Sequence, residues 1–189
     1  MNTKLCGALS AATFAIALPY SIPAQSDEIC SLATLKGNYA FVVSGQLFNA
    51  GGSTLRQGVS KTTFDGRGNL TQVDFVMATP PSGISAPVPA ALDDIDSMTG
   101  FHIDENGTYM VNPDCTGSAV INFPAPPVPG ATGAVIHLMF VLSNHGRAIH
   151  TVVSLLTPPS PPSPLGAYLG ASIHSDGWKI DGHEHAVDR

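Results

Sequence analysis

The stretch Asp65-Gly66-Arg67-Gly68-Asn69, set between two runs of alternating apolar and polar residues, constrains this chain more than any other feature. Its glycines suit positive φ and its Asp and Asn suit a tight turn, so residues 55–65 and 70–79 are predicted to form a β-hairpin. In the second arm Val73, Phe75 and Met77 alternate with Gln72 and Asp74, giving one apolar and one polar face. The same reading extends along the chain. Residues 38–48 form a strand with Tyr39, Phe41, Val43 and Leu47 on one face. Residues 95–103 and 108–112 flank Asp104-Glu105-Asn106-Gly107 as a second hairpin, and residues 117–123 continue the meander. Residues 134–142 and 148–156 flank Asn144-His145-Gly146 as a third hairpin, and a last strand covers residues 167–174. No segment has a helical period. Pro-rich stretches at 80–91, 124–130 and 158–164 are predicted loops, because Pro removes the amide that a central strand or helix needs. Eight or so hairpin-linked strands must protect their edges, so the predicted fold is all-β: a single antiparallel barrel of about eight strands, lipocalin-like, with a β-sandwich as the alternative.

The N-terminus is read apart from this domain. Lys4 precedes an uncharged apolar run over residues 5–18, and Pro19 and the small-residue site Ile22-Pro23-Ala24 follow, which is the pattern of a cleaved secretory signal peptide over residues 1–24. The run is shorter than the roughly 20 residues a spanning helix needs, so no membrane anchor is expected. Removal of Cys6 with the leader leaves Cys30 and Cys115, which in an oxidising compartment are expected to pair; two separate buried thiols are the alternative. The sequons Asn69-Leu70-Thr71 and Asn106-Gly107-Thr108 are glycosylation candidates at predicted hairpin ends. A net charge of −6 with only 8 Lys plus Arg supplies no basic footprint, which argues against nucleic acid as a partner.

Motifs for covalent chemistry are absent from the sequence. It has no Gly-x-Ser-x-Gly elbow, no Gly-rich loop leading into a helix and no recognisable Ser/His/Asp context, so neither a cofactor nor a hydrolase nucleophile is expected. The cluster His183-Glu184-His185, near His174, Asp176 and Asp181, has metal-ligand residue types but lies in a terminal tail without the helical spacing of a zinc site, and is read as solvated. His102, His137 and His150 fall in predicted strands as acid or base candidates. His137 stands among Ile136, Leu138, Met139 and Phe140, which makes it the first polar candidate for an apolar pocket.

Three motifs lie in order along the chain: Cys30-Ser31 with Leu35, Gly37 and Tyr39; Phe64-Asp65-Gly66 with Gly68-Asn69; and Gly107, Tyr109 and Val111 followed by Asp114-Cys115-Thr116-Gly117. Over residues 30–156 they resemble a family of small secreted β-proteins of bacteria and filamentous fungi. Some of its fungal members resemble hetero-Diels-Alderases of tropolone sesquiterpenoid biosynthesis. The resemblance implies a cofactor-free cyclase that steers cycloaddition of a reactive quinone methide onto an apolar terpene, chemistry that asks for a dry, orienting pocket and one or two donors. On that reading Tyr39, Phe41, Phe75, Met77, Tyr109, Met139 and Phe140 are the candidates for the pocket lining, with His137 or Asn144 donating to a developing oxyanion. Strand alternation separates Met139 and His137 from Phe140, and the His137–Met139 face is the one expected to look inward. Two other functions fit the residues: a carrier of an apolar small molecule, and a surface or matrix protein with a filled core. Strands that are apolar on both faces also suit an outer wall packed on a second copy, so a homodimer is among the expected arrangements.

Overall fold

The computed structural model describes residues 29–49, 52–79, 88–89, 101–125, 129–160 and 168–180. The predicted signal peptide, the tail bearing His183-Glu184-His185 and most of the Pro-rich loops lie outside them. A short 3-10 helix, η1 (Leu32–Leu35), precedes nine strands: β1 (Gly37–Asn49), β2 (Gly52–Phe64), β3 (Asn69–Thr79), β4 (Val88–Pro89), β5 (His102–Val111), β6 (Thr116–Asn122), β7 (Val135–Ser143), β8 (Ala148–Thr157) and β9 (Tyr168–Ile180). All pairings are antiparallel, in the order β2-β1-β9-β8-β7-β6-β5-β3, and a further β2–β3 pairing closes the ring into an eight-stranded barrel; β4 adds two residues to the edge of β3. Closure satisfies the edges that an open meander would leave bare.

The strongest predicted turn is present. Gly66 and Gly68 take φ of 77° and 106°, and Asp65 Oδ1 accepts from the amides of Arg67 and Asn69 at 2.7 and 3.0 Å. The turn after β7 also forms, with Asn144, His145 and Gly146 all left-handed. The second predicted hairpin does not form. Asp104-Glu105-Asn106-Gly107 lies inside β5, a continuous strand from His102 to Val111. Gly107 serves a close approach between strands: a Cβ there would meet the Val120 carbonyl oxygen at 1.9 Å. Asp104, at φ 64°, marks an irregularity where the β3–β5 register shifts between Gln72 and Asp74. Asn106 is therefore exposed in mid-strand and not at a hairpin tip, whereas Asn69 opens β3 and donates to Asp65 Oδ2 at 2.8 Å. The last strand runs on to Ile180, beyond the predicted end at 174, because Asn38 to Phe48 stay paired with it in continuous register.

One end of the barrel is stoppered. Leu35 of η1 is fully buried and joins Tyr39, Phe64, Leu70, Tyr109 and Leu142 in the core. Phe64 stacks edge-on against Tyr39 and Tyr109 at centroid distances of 5.4 and 5.0 Å. The Tyr109 hydroxyl donates to the Leu32 carbonyl at 3.1 Å, and the Tyr39 hydroxyl donates to the Gly146 carbonyl. A disulfide joins Cys30, just before η1, to Cys115 in the β5–β6 turn, as the cysteine count predicted. The Cys30 amide also donates to the Pro113 carbonyl at 3.2 Å.

Burial, and after it the neighbouring Tyr109, pushes the Tyr39 phenol up to about 12 from its ordinary 10. A pKa raised on folding contributes stability that is intact below pH 10 and is lost as the pH rises through about 12. Absorbance titration at 295 nm should show a step near pH 12 that coincides with unfolding and disappears in Tyr39→Phe. Tyrosine ionisation that finishes near pH 10 in a still-folded chain would rule this out.

Candidate functional site

Alternation along the barrel strands separates inner from outer faces, and the inner faces are unequal around the ring. From β1, β7 and β8 the inward residues are mainly apolar: Phe41 and Val43, then Ile136, Leu138 and Phe140, then Ile149 and Val153, with Thr151 the polar exception, bonded to Ser175 of β9 at 2.6 Å. β2 and β3 instead send in Ser60, Thr62, Gln72 and Asp74. These two walls enclose a cavity of about 80 Å³ between the stopper and the far end. An eight-stranded barrel is just wide enough for its own side chains to fill, which is why the space is small.

The polar wall is tied together by hydrogen bonds. Thr62 Oγ1 donates to Gln72 Oε1 at 2.7 Å, and Gln72 Nε2 donates to Glu105 Oε2 at 2.7 Å, linking β2, β3 and β5. Asp74 and His102, each about 5% exposed, bond through Oδ1 and Nδ1 at 2.8 Å. With Asp74 as the carboxylate acceptor, His102 carries its proton on Nδ1, and the imidazole is held in one orientation. A buried His–Asp pair of this kind can hold and move a proton, and Gln72 beside it can orient a carbonyl or hydroxyl. Asp74, His102 and Glu105 also place ligand-type atoms within 4.8 Å of one another, all buried. One nitrogen and two oxygens suit a divalent ion such as zinc or manganese.

Toward the far end of the barrel the β8–β9 pairing is short. Among the described residues β8 and β9 pair from Ala148↔Trp178 to Val152↔His174, and residues 153–157 and 168–173 continue without pairing to each other. Val153, at the point of separation, lines the cavity.

Of the residues that the sequence proposed for a pocket, Phe41 and Phe140 line the cavity. Tyr39 and Tyr109 point inward but belong to the stopper, where both are buried and hydrogen-bonded to backbone. Phe75 and Met77 sit on the outer face of β3, opposite Val59 and Gln57, and Phe75 packs on Phe101 with centroids 5.9 Å apart. The expected inward face of β7 is reversed: Ile136, Leu138 and Phe140 look in, while His137 and the half-exposed Met139 look out. Asn144 is exposed in the turn at the stoppered end and does not line the cavity. The polar residues that do face the interior, Thr62, Gln72 and Asp74, were missed because the apolar face of β3 was taken as the inner one, whereas His102, already an acid or base candidate, is buried against Asp74. The signal that could have found them is the spacing of Asp74 and His102, two strand residues whose burial requires a partner. No family model, curated protein or solved structure matches the chain.

Proposed function

We infer that the barrel takes up a small molecule with an apolar body and one hydrogen-bonding head, and acts on it as a cofactor-free cyclase of the hetero-Diels-Alderase kind, joining a reactive quinone methide to an apolar terpene. One observation carries this reading: the interior divides into an apolar wall (Phe41, Ile136, Leu138, Phe140) and a hydrogen-bonded polar wall (Thr62, Gln72, Asp74). A cavity of about 80 Å³ accepts the carbonyl head, and the body lies along the apolar wall toward Val153. Cycloaddition needs orientation and a donor on the developing oxyanion, and the Gln72 amide is the group that supplies it on this reading.

The test is to generate an ortho-quinone methide in the presence of humulene and the purified chain, and to follow adduct formation and enantiomeric ratio by chiral chromatography. The expected result is an enriched enantiomer formed faster than in buffer, with Gln72→Leu slowing the reaction about 100-fold, the usual effect of losing one such donor. A racemic adduct at the buffer rate would overturn the reading. A carrier is the second reading, favoured because Thr62, Gln72, Glu105, Asp74 and His102 are already bonded to one another. In that case native mass spectrometry recovers the terpene bound and unchanged.

A further inference from the structure

On the outer wall, away from the cavity, three neighbouring strands bring together a serine, a histidine and an aspartate. Ser143 Oγ of β7 lies 3.1 Å from His150 Nε2 of β8, and His150 Nδ1 lies 2.7 Å from Asp176 Oδ1 of β9. His150 stands directly opposite Val141 on one side and Asp176 on the other, so all three outward side chains are fixed by strand register and not by a loop. The order of atoms is that of a nucleophile-activating relay. Asp176 accepts from Nδ1–H, which leaves Nε2 to accept the serine proton. The residue after the serine, Asn144, turns left-handed at φ 51° and opens the 144–147 turn, so Ser143 stands at the exposed end of its strand. Half-exposed Val141, Val152 and Met139 give the same face an apolar surface beside His150.

We propose that Ser143, His150 and Asp176 form a second, surface catalytic site that hydrolyses carboxylic esters with an apolar acyl chain. Ser143 Oγ attacks the ester carbonyl carbon while His150 Nε2 takes its proton; the tetrahedral adduct collapses by breaking the bond to the alkoxy oxygen, which leaves with the proton returned by His150. The acyl group is then on Ser143. Water, deprotonated by His150, attacks the acyl carbon, the Ser143 Oγ–carbon bond breaks, and His150 returns the proton to serine as the carboxylic acid departs. The acyl chain lies along Val141 and Val152. An internal comparison stands one row along the same wall: Ser44 Oγ lies 3.0 Å from His174 Nε2, but His174 bonds no carboxylate among the described residues.

The test uses the intact chain with a fluorophosphonate probe, peptide mapping and p-nitrophenyl butyrate hydrolysis. Because the His150 and Asp176 side chains are about half exposed and Ser143 is exposed, their substitution is expected to leave the barrel folded, checked by the melting temperature of each variant. Expected are probe attachment at Ser143 and loss of labelling and hydrolysis by about 100-fold or more in Ser143→Ala and His150→Gln, with a smaller loss in Asp176→Asn and none in Ser44→Ala. The proposal is overturned by attachment at another residue, by undiminished labelling of a folded His150→Gln, or by no labelling of the native chain above that of heat-denatured protein. None of these outcomes bears on the cavity, whose residues face the other way.

Discussion

Replacing Cys30 and Cys115 together by serine is expected to lower the unfolding free energy by about 4 to 5 kcal/mol, the chain-entropy value for a loop of this length. The bridged residues are 85 apart in sequence, so the bond removes a large part of the freedom of the unfolded chain. Its native role adds to this, since Cys30 is 4% exposed and anchors the segment that leads into η1 and the buried Leu35. For a chain of this size the melting temperature should fall by roughly 10 °C or more. Guanidinium unfolding of the oxidised chain, the reduced chain and the double variant provides the measurement. A melting temperature within about 3 °C of wild type would show that the stopper is held by packing and the Cys30–Pro113 backbone bond alone.

Asp74→Ala should be nearly as damaging, at about 3 to 5 kcal/mol, because it strips a buried histidine of the carboxylate it is bonded to. Asp74→Asn should cost less, since the amide oxygen still accepts from His102 Nδ1. The informative variant is the double replacement Asp74→Leu with His102→Leu. Exchanging a whole buried pair for apolar side chains is commonly neutral or stabilising, so this variant should regain most of the loss while giving up any head-group recognition. Denaturation at pH 7 separates these cases. If Asp74→Ala unfolds at the wild-type denaturant concentration, the pair is not a structural element and the polar wall has to be understood from binding alone.

The turn chemistry at Asp65–Asn69 and Asn144–Gly146 was legible in the sequence, and with it most strand boundaries and the need for a closed sheet. What misled was Asn106-Gly107, where glycine meets the demand for close strand approach to Val120 and not that of a turn. Alternation also fixes which residues share a face without saying which face is inside. On β7 both faces are apolar, so Ile136-Leu138-Phe140 and His137-Met139-Val141 were indistinguishable by pattern. On β3 the polar set Gln72 and Asp74 is the inner one, the reverse of the usual rule, because β5 supplies Glu105 and His102 to satisfy it. Ser143, His150 and Asp176 come from three strands with no local motif; register alone assembles them.

The pairing of β1 with β9 also sets the order in which the molecule can be made. The first strand of the ring waits for the last, with Asn38 facing Ile180, so no nascent chain can complete its circumference until residue 180 has been synthesised. Through most of synthesis β1 therefore has one open edge exposed to pairing with other chains. Cys30 and Cys115 are both available long before that seam closes. A covalent link between them gathers β1, β2, β3 and β5 into one tethered half while the other half is still emerging, which places the bond where it limits wrong partners as well as where it stabilises the finished barrel.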